Sequence, residues 1–474
     1  MRICLILEGC YPYVHGGVST WMHQYIQEMK EHEFILWVIG AHAKDKGKFV
    51  YELPEQVKEV HEVFLDDALR IKGEKNHKYF FSEKETEALK ELMDCGKPDW
   101  EVLFHLYQKE QMNPTGFLMS EAFLNILTRL CIEKYPYMAF AEAFHTMRSM
   151  LLPVLYLMGR TVPKADIYHS IATGYGGLLG AMGHYVWKTP FIVTEHGIYT
   201  REREEEIIRA KWVIPSFKQQ WIRFFYMLSD LAYQKAFKIT SLFSNAQKTQ
   251  IEIGAAKEKC AVIANGIDYD RFSSIPLKEE DGFVDIGAVV RLAPIKDIKT
   301  MIHAFYELSA KISNVRLHIM GGVDDEGYAE ECYELVRQMK LDRLFFTGRV
   351  DVIKYMEKLD FTILTSISEG QPLSVLESFA AGRPCVTTEV GCCRELLEGS
   401  AGDEFGMAGY CVLPMHREGL AAAMEKMSTS RRRRLRMGNA GKQRVRTFYR
   451  KEEMMKKYRL IYEEAEKWLE SDSN

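Results

Sequence analysis

Residues 361–388 read FTILTSISEGQPLSVLESFAAGRPCVTT. Phe361–Leu364 is a short apolar run of strand type. Ser, Glu, Gly and Pro then introduce an amphipathic helix over Leu373–Ala381, and Cys385–Thr388 returns to strand. A strand, a crossover helix and a second strand of these lengths predict a parallel unit covered on both faces. The same alternation runs upstream. Strands are expected at Phe283–Val290, Val315–Met320 and Leu344–Phe346, with helices near Thr300–Ser313, Tyr328–Met339 and Val352–Lys358. The first half repeats the rhythm. Strand Ile3–Leu7 leads through Gly16-Gly17 into a helix from Ser19 to Met29. Further strands are expected at Phe34–Ile39, Val57–Leu65, Asp166–Ile171, Phe191–Thr194, Lys238–Phe243 and Cys260–Ile263. Residues 66–161 carry helical periodicity without strand signals and predict a helical insertion; 201–237 predict one long helical stretch.

The expected class is therefore α/β, with two Rossmann-like, doubly wound parallel sheets facing a central cleft. The predicted division is 1–275, then 283–455 after a linker over Ser273–Gly282, then a C-terminal helix over 456–474 packing back on the first domain. At 474 residues the chain is long enough for two or more full cores.

Composition excludes more than it identifies. With 62 Lys+Arg against 66 Asp+Glu, the net charge of −4 disfavours general nucleic-acid binding. Ten Cys with no C-x-x-C spacing read as free thiols in a reducing cytosol, and Cys4, Cys131, Cys260 and Cys385 as small core residues. Glu8 interrupts the first apolar run, so no secretory leader is expected. Ile167–Trp187 lacks formal charge, but five Gly and two His make it a strand, turn and helix rather than a membrane span. Arg431–Lys451 holds ten basic residues and no acid. It reads either as helices with a solvated face or as a patch for an anionic membrane or an acidic subunit.

Chemistry-bearing residues gather where strands end. Gly16 and Gly17 precede a helix and allow backbone N–H groups to approach a phosphate, or simply make a tight turn. Arg291 and Lys296 follow a strand and are either a diphosphate clamp or solvated loop charges. Glu369 and Glu377 flank a helix start. Eight residues of helix would separate them by about 12 Å, too far for a paired acid and base, so they read as two ligand contacts or as ordinary helix acids. His196 follows a strand and precedes Gly197. Asp268-Tyr269-Asp270 reads as a turn before it reads as a metal site. The absence of G-x-G-x-x-G and of a Walker lysine disfavours a dinucleotide enzyme or an ATPase.

Taken together, Gly16-Gly17, Asn265-Gly266-Ile267-Asp268, Arg291 with Lys296, the E-x7-E pattern of Glu369 and Glu377, Ala380–Val386 and Gly391 resemble retaining GT-B glycosyltransferases of family 4. The stretches Leu5–Ser19, Thr194–Thr200, Pro294–Thr300, Leu364–Glu369 and Cys393–Leu396 are similar to the PelF type, cytosolic transferases of Pel exopolysaccharide synthesis in biofilms. The resemblance is loose over 66–161. It implies that Arg291 and Lys296 hold the donor diphosphate, Glu369 the sugar hydroxyls and Glu377 the ribose. Gly370, Gln371, Pro372, Leu373 and Ser374 would face the sugar and distal phosphate. Arg349 and Val350 would lie by the base, Gly16 and Gly17 by the phosphates and His196 by the sugar. Gln371 stands where many relatives carry an aromatic residue.

The resemblance further implies a UDP-sugar donor, a polysaccharide acceptor, no metal or other cofactor, and membrane-embedded synthase or export subunits as partners. It places the chain in the cytoplasm, with a peripheral position at the inner face of the membrane as the variant. The competing expectation is a UDP-sugar-binding scaffold or sensor subunit with little activity alone.

Overall fold

The structure is a computed structural model describing residues 1–73, 79–400 and 402–472. By internal contacts the chain divides into two compact units: Met1–Val262 with the chain from Tyr458 onward, and Ile263–Lys457.

The first unit holds seven parallel strands: β1 (Arg2–Glu8), β2 (Glu33–Gly40), β3 (Val57–Phe64), β4 (Ile167–Ser170), β5 (Phe191–Glu195), β6 (Lys238–Ser241) and β7 (Cys260–Val262), in the order β3-β2-β1-β4-β5-β6-β7. Strand order reverses between β1 and β4, which creates a crevice at their carboxyl ends. β1, β2 and β5 are buried along most of their length, as expected of strands covered on both faces.

Among the described residues between β3 and β4 lie the α-helices Glu83–Asp94, Trp100–Gln108, Pro114–Leu118, Glu121–Lys134 and Phe140–Met158. Their buried Leu103, Phe104, Phe117, Phe123 and Met150 join the core beneath the sheet. Residues 74–78 of the predicted insertion lie outside the described residues.

The Gly-rich stretch forms the Tyr175–Trp187 helix, and its glycines serve packing. A Cβ on Gly180 would stand 2.0 Å from the Phe191 ring, and one on Gly183 2.7 Å from the Tyr168 ring. No helix among the described residues is long and apolar enough to cross a membrane. The single stretch expected over 201–237 is two helices, Tyr199–Arg209 and Lys218–Lys235. The chain breaks between them at Ala210–Phe217, where Pro215 cannot supply an amide hydrogen.

The last helix, Lys451–Asp472, delivers Tyr458 and Tyr462 into the first unit. The Tyr25 hydroxyl donates to that of Tyr462 at 2.8 Å, and His169 Nδ1 lies 2.7 Å from the same oxygen. His169 Nε2 meets Thr194 Oγ1 at 2.8 Å. Full burial keeps this imidazole neutral, its pKa pushed down to about 3.

The second unit has six parallel strands: β8 (Val284–Val289), β9 (Val315–Met320), β10 (Leu344–Gly348), β11 (Phe361–Leu364), β12 (Cys385–Thr388) and β13 (Gly409–Val412). Their order is β10-β9-β8-β11-β12-β13, with the reversal between β8 and β11. β13 carries no strand signal in the sequence, because Gly-Tyr-Cys-Val is short and mostly half-buried at the sheet edge.

The basic run forms the Arg431–Phe448 helix, and its charges are not one surface. Arg444 is buried against Asp403 and donates to the carbonyls of Leu396 and Gly406 at 2.8 and 2.6 Å. Arg434 donates to the carbonyls of Met427 and Ser428. Arg432, Arg436 and Arg446 are exposed. Among the described residues all ten cysteines are free thiols; Cys4 and Cys385 are buried, Cys131 and Cys260 only partly.

Candidate functional site

In the second unit the loops after β8 and β11 are bound to each other. Thr365 Oγ1 donates to the Lys296 carbonyl at 2.8 Å, and the Ile367 N–H donates to that of Ile295 at 2.9 Å. This brings Lys296 Nζ onto the Glu369 carboxylate, which also accepts from Ser366 Oγ at 2.5 Å. The two side chains are 18% and 13% exposed, so the pair is largely removed from water while still reachable.

Glu369 precedes the helix instead of lying on it, because the helix begins at Leu373. The helical-pitch separation from Glu377 therefore holds only from Leu373 onward. Among the described residues no side chain caps the Leu373–Ala380 helix, so its first-turn N–H groups, those of Leu373 and Ser374 among them, and the positive end of its dipole stand open beside Gly370 and Pro372.

The loop is held from behind. Gly391 adopts φ +52°, and a Cβ there would stand 2.1 Å from the Gly370 carbonyl oxygen and 2.2 Å from that of Glu369. The adjoining Cys392 N–H donates to the Gly370 carbonyl at 3.0 Å.

Arg291 is placed otherwise than Lys296. Its guanidinium is half exposed and donates to Asp324 Oδ2 at 2.5 Å. Arg349 lies over Gly322, whose Cβ would come 2.8 Å from Arg349 Nε, and Val350 is half-buried beside it. Glu377 makes no hydrogen bond or ion pair with its carboxylate among the described residues. Loss of water raises its pKa to about 7, opposed only by the charge of Arg271. Asp268 accepts the Arg271 N–H at 3.1 Å and caps the Tyr269–Ser273 helix, while Asp270 pairs with Arg450 at 2.8 Å. Chain partners thus occupy both carboxylates. No group of three or more His, Cys, Asp or Glu among the described residues is arranged to hold a metal ion.

In the first unit Gly16 is extended and Gly17 opens the Gly17–Glu28 helix, with nothing among the described residues within 4 Å of a Cβ at either position. Neither a positive φ nor crowding by the chain requires glycine there. His196 packs edge-on to Trp21, with ring centroids 4.5 Å apart. Its Nε2 is buried without a partner among the described residues, and burial lowers its pKa to about 4. The preceding Glu195 is buried and accepts from Tyr233 Oη at 2.7 Å, Gln250 Nε2 at 2.8 Å and the Tyr199 N–H at 3.2 Å, which fixes the turn carrying His196. Glu195 and Ser366 lie in stretches that carry the resemblance but have no assigned role there, and Asp324 carries no sequence signal that separates it from an ordinary loop residue.

Two doubly wound parallel sheets of seven and six strands define a GT-B fold. The chain belongs to the family described as Domain of unknown function (DUF3492), whose model matches residues 1–258, and residues 271–444 match Glycosyl transferases group 1. It is 22% identical over 283 residues to an MMP alpha-(1->4)-mannosyltransferase of Mycolicibacterium hassiacum, covering 58% of this chain and 66% of that protein. It is 23% identical over 313 residues to the capsular polysaccharide biosynthesis glycosyltransferase CapM of Staphylococcus aureus, covering 62% and 77%. The chain spans 50 to 66% of the length of three of the curated relatives it matches. The crystal structure of Anabaena HepE in complex with UDP and glucose shares the fold, with a TM-score of 0.59 at 14% identity over 97% of this chain and 99% of that one.

Proposed function

We propose that the chain is a glycosyltransferase that moves a hexosyl unit from a UDP-sugar to a growing exopolysaccharide of the Pel type, with retention of anomeric configuration. The observation that carries this reading is the Lys296–Glu369 pair beside an uncapped helix start at the carboxyl ends of β8 and β11. Lys296 and the helix terminus offer positive charge to a diphosphate, and Glu369 offers acceptor oxygens to sugar hydroxyls. Arg291 adds a second cation once it leaves Asp324. Glu377 takes the ribose hydroxyls, and Arg349 and Val350 face the base. In the first unit we assign the acceptor side to the strand ends bearing His196 and the Gly16-Gly17 turn. The leaving diphosphate, stabilised by Arg291 and Lys296, takes the acceptor proton on the same face. With the diphosphate neutralised by side chains and helix, the reaction needs no metal, and EDTA leaves its rate unchanged. We place it on the cytoplasmic side, delivering to membrane-embedded synthase or export subunits; the relatives' names, in mannosyl transfer and capsular polysaccharide biosynthesis, support the sugar-transfer part of this reading.

The test is release of UDP by the isolated protein from UDP-glucose, UDP-N-acetylglucosamine and UDP-N-acetylgalactosamine. Lys296→Ala is expected to cost roughly 1.5–3 kcal/mol in kcat/KM, about one to two orders of magnitude. Glu369→Ala should abolish transfer while free UDP still binds. Failure of any UDP-sugar to bind overturns the proposal. Tight binding without turnover supports a scaffold or sensor subunit instead.

A further inference from the structure

The loop that carries Glu369 has a second tether, on the side away from Gly391. Gln371 is 7% exposed, and its side-chain Oε1 accepts the backbone N–H of Asn265 at 2.6 Å. Asn265 is 4% exposed, so this N–H has no access to solvent. The segment it belongs to is itself fixed. Ile267 exchanges backbone hydrogen bonds with Tyr449 and Lys451, each 3.0 Å long, and the Gly266 N–H meets Met454 Sδ at 3.2 Å. A Cβ on Gly266 would strike the Arg450 carbonyl at 2.5 Å, so this contact is backbone against backbone.

We propose that Gln371 is the positioning residue of the donor loop. By binding the Asn265 amide it sets where Glu369 and the 369–370 peptides stand, and so tunes recognition of the transferred sugar separately from that of the nucleotide. The inference rests on the transferase reading above. An aromatic or aliphatic side chain at 371 fills space but offers no acceptor, and a buried N–H left unpaired drives the surrounding backbone to move or admit water. Gly391 and Cys392 restrain the loop from one side only. Without the Gln371 bond the loop can shift away from Asn265 and carry Glu369 off Lys296 and Ser366.

The decisive variants are Gln371→Met, of similar length without the oxygen, and Gln371→Glu, which keeps an acceptor. In the ligand-free full chain, amide hydrogen exchange in peptides covering 263–267 and 366–372 is expected to rise about tenfold in Gln371→Met and to stay near the unsubstituted rate in Gln371→Glu. Calorimetry with UDP, UDP-glucose and UDP-N-acetylglucosamine then reads the functional part. In Gln371→Met the Kd for UDP should move by less than about twofold, while the Kd for the UDP-sugar that the unsubstituted chain binds weakens about fivefold or more. Unchanged exchange at both segments, or equal weakening for UDP and UDP-sugar, overturns the proposal. If the unsubstituted chain binds no uridine nucleotide, the transferase reading fails, and the exchange result alone decides the tether.

Discussion

Glu377 is a half-buried carboxyl group whose loss of water outweighs the charge of Arg271 that favours its ionised form. Its folded pKa of about 7 exceeds its unfolded value, so the folded chain binds this proton more tightly than the unfolded one. Its contribution to stability is complete in the ordinary carboxyl range and is lost as pH rises toward and through about 7. Glu377→Gln is therefore expected to stabilise the protein by roughly 1–3 kcal/mol at pH 8 and by almost nothing near pH 4.5, measured by denaturant unfolding. The same substitution should weaken UDP binding, because a neutral amide accepts ribose hydroxyls less strongly than a carboxylate. The sequence displayed both glutamates of the pattern but not their surroundings. Spacing along the chain cannot report that Glu369 sits in a loop against Lys296, or that Gln371 points to Asn265. Those facts depend on which loops the sheet brings together.

Helices and turns show where reading along the chain succeeds and where it stops. Apolar run and length were enough to place Phe361–Leu364 and Cys385–Thr388 as strands, because each is buried along its whole length, while Val315–Met320 shows the alternation of a strand with one half-buried face. The Arg431–Phe448 helix is the opposite case. Its charges look alike in sequence, yet Arg444 closes on Asp403 in a loop distant along the chain. Asp403→Asn should cost roughly 3–5 kcal/mol by leaving a buried guanidinium uncompensated, whereas Arg436→Ala should change stability by no more than about 0.5 kcal/mol. Chemical denaturation of the two variants separates them. Gly391→Ala should cost more than about 1 kcal/mol and depress transfer, since its φ of +52° and the Glu369 and Gly370 carbonyls both exclude a side chain. Unfolding and UDP-release assays on one preparation check both effects.

For the whole molecule, alternation of strand and helix was sufficient to predict two doubly wound sheets, since few other folds satisfy so many short buried strands with helices between them. The order of strands was not visible, nor was edge strand β13, which buries too little to leave a pattern. Also invisible was how much of the first sheet depends on the end of the chain. Tyr462 supplies a partner to both Tyr25 and His169, which are fully buried. Tyr462→Ala should therefore destabilise the first unit by roughly 3–5 kcal/mol, seen as an earlier thermal transition, while Tyr462→Phe loses only the hydroxyl and costs less.

That dependence reaches into protein synthesis. At about 5–20 residues per second, roughly ten to forty seconds pass between the emergence of β7 and that of Tyr458 and Tyr462. Throughout that interval the nascent first sheet has an open seat where two tyrosines belong, with an imidazole and several rings uncovered. Chains stalled on the ribosome before Tyr458 should be cut readily by protease within the first unit, and chains extended past the exit tunnel should resist.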